Sequence, residues 1–109
     1  MSSNLPAAIA RYFGGANAFD AETASSMFAP DAVVHDEAHD HVGRPAIRQW
    51  VQDTIDRYAT QFVVESASDS ADATLVVVRL SGSFPGSPIR MRFVFQLAEG
   101  TITHLDIKP

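Results

Sequence analysis

The stretch of this 109-residue chain that is richest in ionisable groups holds three imidazoles and three carboxylates within seven residues, His35-Asp36-Glu37-Ala38-His39-Asp40-His41. Divalent metals accept histidine nitrogens and aspartate oxygens, so His35 with His39, or His39 with His41, could bind a metal ion together with Asp36 or Asp40. The stretch leaves a strand for a loop, however, and no helical spacing holds the imidazoles on one face. We therefore expect a solvated loop here, with no metal and no other cofactor.

Several other chemistries are excluded by the composition. The chain has no cysteine, which excludes disulfides, thiolate metal sites and cysteine nucleophiles. It also lacks a phosphate-binding glycine loop, a nucleophile elbow and a dinucleotide fingerprint. Eight basic residues against thirteen acidic ones give a net charge of −5, which argues against a nucleic-acid partner. With no apolar run of about 20 residues and no signal-peptide pattern, we expect a cytoplasmic protein without a membrane partner.

The elements that must position the ionisable residues fall into a helical first half and a strand-rich second half. Helices that precede strands, rather than alternate with them, indicate the α+β class. A chain of this length suits one domain, so residues 1–109 are predicted to form a single domain.

Three helices are predicted from apolar residues that recur at helical spacing. The first begins near Asn4 and has an apolar face made of Leu5, Ile9, Tyr12, Phe13 and Ala16. The second is short, with Asp20 as its N-cap and Pro30 as its stop. After a short strand at residues 32–36, Gly43 leads into the third helix, whose apolar stripe consists of Ile47, Trp50, Val51, Ile55 and Tyr58.

From Gln61 onward the apolar period changes to two, which is typical of strands. Turn signals at residues 68–72, 85–88 and 99–100 separate four strands, which makes five in the whole chain. The short connections predict an antiparallel meander. One face of this sheet is apolar, and the three amphipathic helices should pack against it.

Four segments are distinctive in their order and spacing: Ile9-Ala10-Arg11-Tyr12-Phe13, Asn17-Ala18-Phe19-Asp20, Met27-Phe28-Ala29-Pro30-Asp31-Ala32-Val33 and Gly43-Arg44-Pro45-Ala46-Ile47-Arg48. Together they resemble the nuclear transport factor 2-like superfamily, and within it the SnoaL-like and ketosteroid isomerase-like branch. The resemblance implies a cone-shaped roll, in which a curved, mostly antiparallel sheet packs against three helices from the N-terminal half. It also implies an apolar pocket, which we expect to be lined by Tyr12, Phe28, Trp50, Val78, Leu80, Phe84, Met91, Phe93, Phe95, Leu105 and Ile107.

The same resemblance suggests catalytic roles for four residues. In ketosteroid isomerase-like proteins the first strand ends in an aspartate that acts as general base, and Asp36 falls at that place. A tyrosine on their first helix donates a hydrogen bond to the substrate oxygen, and Tyr12 falls there. One of His39 and His41 would act beside Asp36 as a proton shuttle or as a polar pocket group. Phe93 stands where the isomerases carry a second, protonated acid, so steroid isomerase activity is not expected.

Two functions of the pocket stay open at this point. In the first, Asp36 acts as base on an apolar, carbonyl-bearing molecule in an isomerase, cyclase or dehydratase-like enzyme. In the second, the pocket binds a hydrophobic small molecule without catalysis, because the acid that Phe93 replaces is missing. Structural roles are the simpler alternative for both polar groups: Asp36 would cap a backbone N–H or pair with Arg44, and Tyr12 would fill the core.

A third function is dimerisation through the outer face of the sheet, the face directed away from the helices. This face is expected to carry Val77, Arg79, Arg90, Arg92, Val94 and Gln96. His104 and Asp106, two residues apart on the last strand, share one face and are expected to point outward as well. Proteins of the superfamily commonly use this face to bind a second subunit, so a homodimer is expected. Arg90 and Arg92 would meet Glu65 or Asp106 there, within or between chains.

Overall fold

The computed structural model describes residues 5–70 and 72–109. Its elements follow in the order α1 (Ala7–Asn17), α2 (Ala21–Ser25), β1 (Phe28–Asp36), β2 (His39–Val42), α3 (Arg44–Tyr58), β3 (Gln61–Asp69), β4 (Thr74–Ser81), β5 (Ile89–Ala98) and β6 (Thr101–Lys108). The three helices all lie in the N-terminal half, which confirms the predicted α+β class. None of the helices in the described ranges is long and apolar enough to cross a membrane.

A single six-stranded sheet forms the larger layer, with its strands in the order β2-β1-β6-β5-β4-β3. The predicted antiparallel meander is confirmed, because β3, β4, β5 and β6 each pair antiparallel with the next strand along the chain. β1 lies parallel to β6, and β2 pairs antiparallel with β1. Register shifts interrupt the β3–β4 and β5–β6 ladders, and such bulges bend a strand and increase its twist. The result is the expected open, mostly antiparallel sheet with helices against one face.

The structure corrects the sequence interpretation around Pro30. We expected Pro30 to stop α2 and the strand to begin at residue 32, but α2 ends at Ser25 and β1 begins at Phe28. The pairing of β1 with β6 shifts register between Phe28 and Val33. Proline is tolerated in this interrupted part of the ladder because no regular strand hydrogen bond requires its missing N–H.

A second correction concerns residues 39–42, which were expected to be a loop and instead form β2. Glu37 and Ala38 connect β1 to β2 with positive φ angles of 53° and 63°. Two successive residues with positive φ are typical of the tight hairpin turn whose twist matches that of the strands. Neither residue is the glycine or asparagine that normally marks such a turn, so the sequence pattern did not predict this hairpin.

Helices α1 and α2 are held by contacts at their ends. α1 continues through Gly14 and Gly15 to Asn17, whose side-chain amide donates to the carbonyl of Phe62 and accepts from its N–H at 2.9 and 2.7 Å. This pair of hydrogen bonds fixes the end of α1 against β3. Asp20 caps α2 as predicted, since its carboxylate accepts from the backbone N–H and the hydroxyl of Thr23. These bonds lower the pKa of Asp20. The expected cap of the first helix, Asn4, lies outside the described residues.

The core lies between the helices and the inner face of the sheet, and an aromatic cluster occupies its centre. The ring of Tyr12 on α1 lies with its centroid 5.0–6.4 Å from those of six other aromatic residues, Phe13, Phe28, Trp50, Phe62, Phe93 and Phe95. Aromatic pairs at these separations stabilise a core beyond the area that they bury. Residues from both layers of the fold therefore converge on one side chain.

Gly15 lies where α1 and α2 approach each other most closely. A Cβ atom built on Gly15 would lie 2.5 Å from the backbone nitrogen of Ala24, which is closer than real Cβ atoms come to other atoms. We expect Gly15→Ala to lower the free energy of unfolding by about 1–3 kcal/mol, because the two helices must separate to admit the methyl group. Chemical denaturation followed by circular dichroism measures this difference.

The neighbouring glycine provides the matched control. A Cβ atom on Gly14 meets nothing within 4 Å. Gly14→Ala should therefore raise the free energy of unfolding by roughly 0.5–1 kcal/mol, because alanine loses less backbone entropy than glycine in a helix. Stabilisation by both substitutions would show that the approach of the two helices imposes no steric limit at Gly15.

Candidate functional site

A cavity of about 230 Å³ lies between the helices and the inner face of the sheet. Its lining is mostly apolar or aromatic and consists of Tyr12, Trp50, Tyr58, Phe62, Leu80, Phe84, Ile89, Met91, Phe93 and Ile107, with Asp36, Glu37, Thr54 and Thr60 as further polar members. An apolar concavity with a few convergent polar groups is typical of small-molecule sites.

The β1–β2 hairpin divides the ionisable stretch between two sides of the sheet. Residues that face each other on paired strands project to the same side, and successive residues alternate. Asp36 pairs with His39, and His41 is two residues further along, so these three side chains share one side. His35 pairs with Asp40 on the opposite, exposed side, where Nδ1 and Oδ1 lie 2.6 Å apart. This hydrogen bond raises the pKa of His35.

A second concavity, of about 340 Å³, adjoins the first, and we call it the vestibule. It shares five lining residues with the cavity: Asp36, Glu37, Trp50, Thr54 and Tyr58. The remaining residues of its lining are all ionisable: His39, His41, Asp53 and Arg57. Asp36 therefore lies at the boundary between a polar vestibule and an apolar cavity.

The carboxylate of Asp36 is held by α3. The indole Nε1–H of Trp50 donates to Asp36 Oδ2 at 3.1 Å, which leaves the other carboxylate oxygen, Oδ1, outside this bond. Partial burial raises the pKa of Asp36, and the nearby charge of Glu37 adds to this effect, whereas the Trp50 hydrogen bond opposes it. A carboxylate with a raised pKa is a stronger base than an ordinary one.

The expected structural alternative for Asp36, a pair with Arg44, does not occur. The Arg44 guanidinium instead donates through Nε and Nη2 to the backbone carbonyl of Phe28, at 3.0 and 2.9 Å. Arg44 thus secures the start of β1 against the first turn of α3, and Asp36 makes its side-chain hydrogen bond with Trp50.

Tyr12 is fully buried and also lines the cavity. Burial raises the pKa of its phenol far above the ordinary value, and the negative charge of Asp36 raises it further. The phenol therefore keeps its proton throughout the physiological pH range and can act as a hydrogen-bond donor. Its ring lies parallel to that of Trp50, with the ring centroids 6.4 Å apart.

Several residues expected at the pocket line the cavity, and others lie elsewhere. Trp50, Leu80, Phe84, Met91, Phe93 and Ile107 are part of the lining, together with Asp36 and Tyr12. His39 and His41 line the vestibule instead, where the rings of His41 and Trp50 lie 5.7 Å apart.

Phe28, Phe95 and Leu105 were expected to line the pocket but lie in the core instead, as does Val78. Phe95 and Leu105 face each other across β5 and β6, one inward pair beyond Phe93 and Ile107. The ring of Phe95 lies 5.9 Å from the rings of both Tyr12 and Phe13 on α1.

Five further residues line the cavity without having been predicted to do so: Thr54, Tyr58, Thr60, Phe62 and Ile89. Tyr58 lies on the predicted apolar stripe of α3, and Thr54 lies four residues after Trp50, so helical spacing alone could have placed both beside Trp50. Alternation along β3 could have placed Phe62 inward. Thr60 carries no such signal, because its position depends on how the chain turns from α3 into β3.

No group of three or more histidine, aspartate or glutamate side chains in residues 5–70 and 72–109 is arranged to hold a metal ion. The alternation of the hairpin places His35 and Asp40 on the side opposite to Asp36, His39 and His41. Asp36 shares the vestibule with those two histidines, and its side-chain hydrogen bond is with Trp50.

Comparison with known proteins extends these observations. A family model described as a SnoaL-like domain matches residues 9–105. No curated protein sequence matches the chain. Among solved structures, a proposed polyketide cyclase from Sinorhizobium meliloti is 33% identical to the chain, with a TM-score of 0.92 and coverage of 96% of both chains.

Two more distant structures share the fold. A Catenulispora acidiphila protein with a ketosteroid isomerase-like fold, solved in complex with trimethylamine, is 17% identical, with a TM-score of 0.86 over 97% of this chain and 87% of that one. An epoxide hydrolase/cyclase-like enzyme of pyran ring formation in the polyether salinomycin is 20% identical, with a TM-score of 0.81 over 93% and 86%. The family match, which covers nearly the whole chain, shows that this protein belongs to the SnoaL-like domain family, as the four sequence segments suggested.

Proposed function

We propose that this protein binds an apolar, carbonyl-bearing small molecule and acts on it as an isomerase- or cyclase-like enzyme, with Asp36 as the general base. The observation that carries the proposal is the position of Asp36, where the polar vestibule meets the apolar cavity, with the Tyr12 phenol lining the same cavity. The resemblance to a proposed polyketide cyclase and to a cyclase-like enzyme supports this class of reaction.

The reaction that these two groups support is proton abstraction next to a carbonyl. The Asp36 carboxylate takes a proton from the carbon beside the carbonyl group, and the electron pair of that C–H bond forms the C=C bond of an enolate. The negative charge moves to the carbonyl oxygen, where the Tyr12 hydroxyl stabilises it by a hydrogen bond. When a C=C bond is conjugated with the enolate, return of the proton from Asp36 to the far carbon of that bond gives an isomer. Alternatively, the enolate carbon attacks a second carbonyl carbon of the same molecule and closes a ring, and the π electron pair of that C=O bond moves to its oxygen, which takes the proton from Asp36.

The environments of Asp36 and Tyr12 favour the two roles that this step requires. Partial burial raises the pKa of Asp36 above its ordinary value of 3.8, which makes its carboxylate a stronger base. The raised pKa of Tyr12 keeps its phenol protonated. Two groups whose environments fit them to opposite roles are characteristic of acid–base catalysis.

Deuterium exchange tests the base directly and requires no knowledge of the natural substrate. We expect the protein to accelerate exchange of the protons next to the carbonyl of α-tetralone, an apolar bicyclic ketone, in D₂O followed by NMR. Asp36→Asn should slow this exchange by about 10²–10⁴-fold, because the base is lost. Tyr12→Phe should slow it by about 10²–10³-fold, because the donor to the enolate oxygen is lost.

Asp56→Asn is the matched control, since Asp56 is exposed on the far side of α3, where it accepts a hydrogen bond from Gln52. This variant should catalyse the deuterium exchange of α-tetralone at the rate of the unsubstituted protein. If Asp36→Asn catalysed the exchange at the full rate, Asp36 would not be the base. Tight binding of α-tetralone without any exchange would favour the second candidate, a non-catalytic pocket for a hydrophobic molecule.

The stability of the protein should also depend on Asp36 in a defined direction. The folded state raises the pKa of Asp36 above its ordinary value of 3.8, so the protonated form is favoured and the charged form costs stability above that pH. Asp36→Asn should therefore raise the thermal midpoint at pH 7, and the difference should disappear as the pH falls below 3.8. Differential scanning calorimetry at several pH values measures both effects.

Glu65 provides the comparison, because its pKa is shifted in the opposite direction from that of Asp36. The hydrogen bond from Arg90 lowers the pKa of Glu65, so Glu65→Gln should slightly lower the midpoint at pH 7 and have no effect in acid. A lower midpoint for Asp36→Asn at pH 7 would show that the site does not disfavour the Asp36 charge.

The outer face of the sheet supports a further proposal, that two copies of the chain pair through it. Leu75, Val77 and Val94 are half-buried on this face, and Leu75 and Val94 are directly paired across β4 and β5. Contiguous aliphatic side chains of this kind mark interaction surfaces. Arg90 already pairs with Glu65 within the chain, at 2.6 Å, which leaves the aliphatic side chains to make the contact.

Sedimentation velocity tests this pairing. We expect a dimer at high micromolar concentration, and Leu75→Glu should convert it to a monomer because it places a charge in the interface. A protein without substitution that stays monomeric at high micromolar concentration would contradict the proposal.

A further inference from the structure

Trp50 contacts both groups of the proposed proton transfer, although it has no part in the step described above. Its indole N–H donates to Asp36 Oδ2 at 3.1 Å, and its ring lies parallel to that of Tyr12, with an interplanar angle of 2°. One side chain of α3 thus contacts the proposed base and the proposed hydrogen-bond donor together. Its position therefore affects how these two groups are arranged relative to each other.

Packing holds the indole of Trp50 in one orientation. The residue is 8% exposed, on the face of α3 that also buries Ile47 and Val51. Its ring has an aromatic neighbour in the core, Tyr12, and another ring neighbour in the vestibule, His41, whose centroid is 5.7 Å away. A large side chain packed in this way keeps one rotamer, so its N–H stays directed at Asp36.

The hydrogen bond makes the two oxygens of Asp36 unequal. Without a fixed donor, a carboxylate can turn about the bond to its Cβ atom and present either oxygen to a substrate. In residues 5–70 and 72–109, the Trp50 N–H is the one side-chain donor to Asp36, and it occupies Oδ2. Orientation matters for a base, because a displacement of about 1 Å can lower a rate by roughly 100-fold.

We propose that Trp50 is a positioning residue of the proposed reaction: its N–H holds the Asp36 carboxylate by Oδ2, so that Oδ1 is the oxygen that takes the proton of the substrate. This inference rests on the proposed function for the role of Asp36 as the base. It adds which of the two carboxylate oxygens reacts and which residue selects it.

The same hydrogen bond acts on the charge of Asp36. It stabilises the carboxylate form and so lowers the pKa of Asp36, against the larger effect of burial. Loss of the N–H should therefore raise this pKa further, and a higher pH is then needed to ionise the base. As a result, the low-pH limb of the rate profile should move to higher pH.

The other ionisable groups around Asp36 stay in place when the indole N–H alone is removed. They flank Asp36 in the chain or line the cavity or the vestibule with it: His35 and Glu37 on either side of it, Tyr12 on α1, His39 and His41 on β2, and Asp53, Arg57 and Tyr58 on α3. A shift of the low-pH limb in such a protein is thus an effect of the N–H.

Because the chain has a single tryptophan, the N–H can be removed with little change in the shape of the ring. Expression in a tryptophan auxotroph supplied with benzothienylalanine replaces the indole N–H by a sulfur atom. The matched control is the protein with 5-fluorotryptophan, which keeps the N–H. Circular dichroism shows whether both proteins are folded.

Deuterium exchange of α-tetralone is then measured as a function of pH. In the benzothienylalanine protein we expect the low-pH limb to move to higher pH. The rate on the plateau above this limb should fall about tenfold, because the carboxylate is no longer held in one orientation. The 5-fluorotryptophan protein should keep both the limb and the plateau of the unsubstituted protein.

A titration followed by ¹³C NMR tests the contact without turnover. The carboxyl resonance of Asp36 is assigned by its absence from the spectrum of Asp36→Asn. The pKa of Asp36 should be higher in the benzothienylalanine protein than in the 5-fluorotryptophan protein, because the former lacks the donor to Oδ2.

Two results would overturn the inference. The first is an unchanged plateau in the benzothienylalanine protein, since the orientation of Asp36 would then not depend on Trp50. The second is an equal pKa of Asp36 in the two proteins. Failure of the proposed function would be distinct: the unsubstituted protein would not exchange α-tetralone at all, while the two titrations would still differ.

Discussion

The two layers of this fold, the helices and the sheet, are joined by aromatic packing against the ring of Tyr12. It extends from α1 into an aromatic cluster to which α3 contributes Trp50 and the sheet contributes Phe28, Phe62, Phe93 and Phe95. The pairing of the strands and the packing of the helices therefore meet at one residue. The same residue also lines the cavity, so one side chain both links the two layers and forms part of the cavity wall.

The distribution of charge follows from this arrangement. Trp50 belongs to the aromatic cluster and also lines the vestibule, next to its ionisable residues. Asp36 lies where the vestibule meets the cavity: the Trp50 indole binds its carboxylate, while the apolar cavity raises its pKa. A base needs access to solvent protons on one side and a poorly solvated substrate on the other. If Asp36 acts as the proposed base, the two adjoining concavities, which differ in polarity, would provide both.

Much of this organisation can be predicted from the amino-acid sequence. Helical and alternating periodicities predict the helices and the meander, and the spacing of four segments points to the fold and through it to Asp36 and Tyr12. The hairpin is not predicted, because Glu37 and Ala38 adopt positive φ without being glycine or asparagine. The place of Thr60 in the cavity lining is not predicted either, because it depends on the turn that joins α3 to β3. Secondary-structure propensities describe local segments, whereas the hairpin turn and the place of Thr60 depend on tertiary contacts.

Because the sheet is open, it ends in two strands, β2 and β3, each with one side unpaired. Such edges can recruit strands from other molecules and so begin aggregation. β2 has only four residues, of which His39, Asp40 and His41 are ionisable, and a bulge between Val64 and Ser66 interrupts the ladder of β3. Short, polar or bulged edges resist such recruitment. The ionisable residues of β2 therefore make this edge a poor template for strand addition, whatever the chemistry of the cavity beside it.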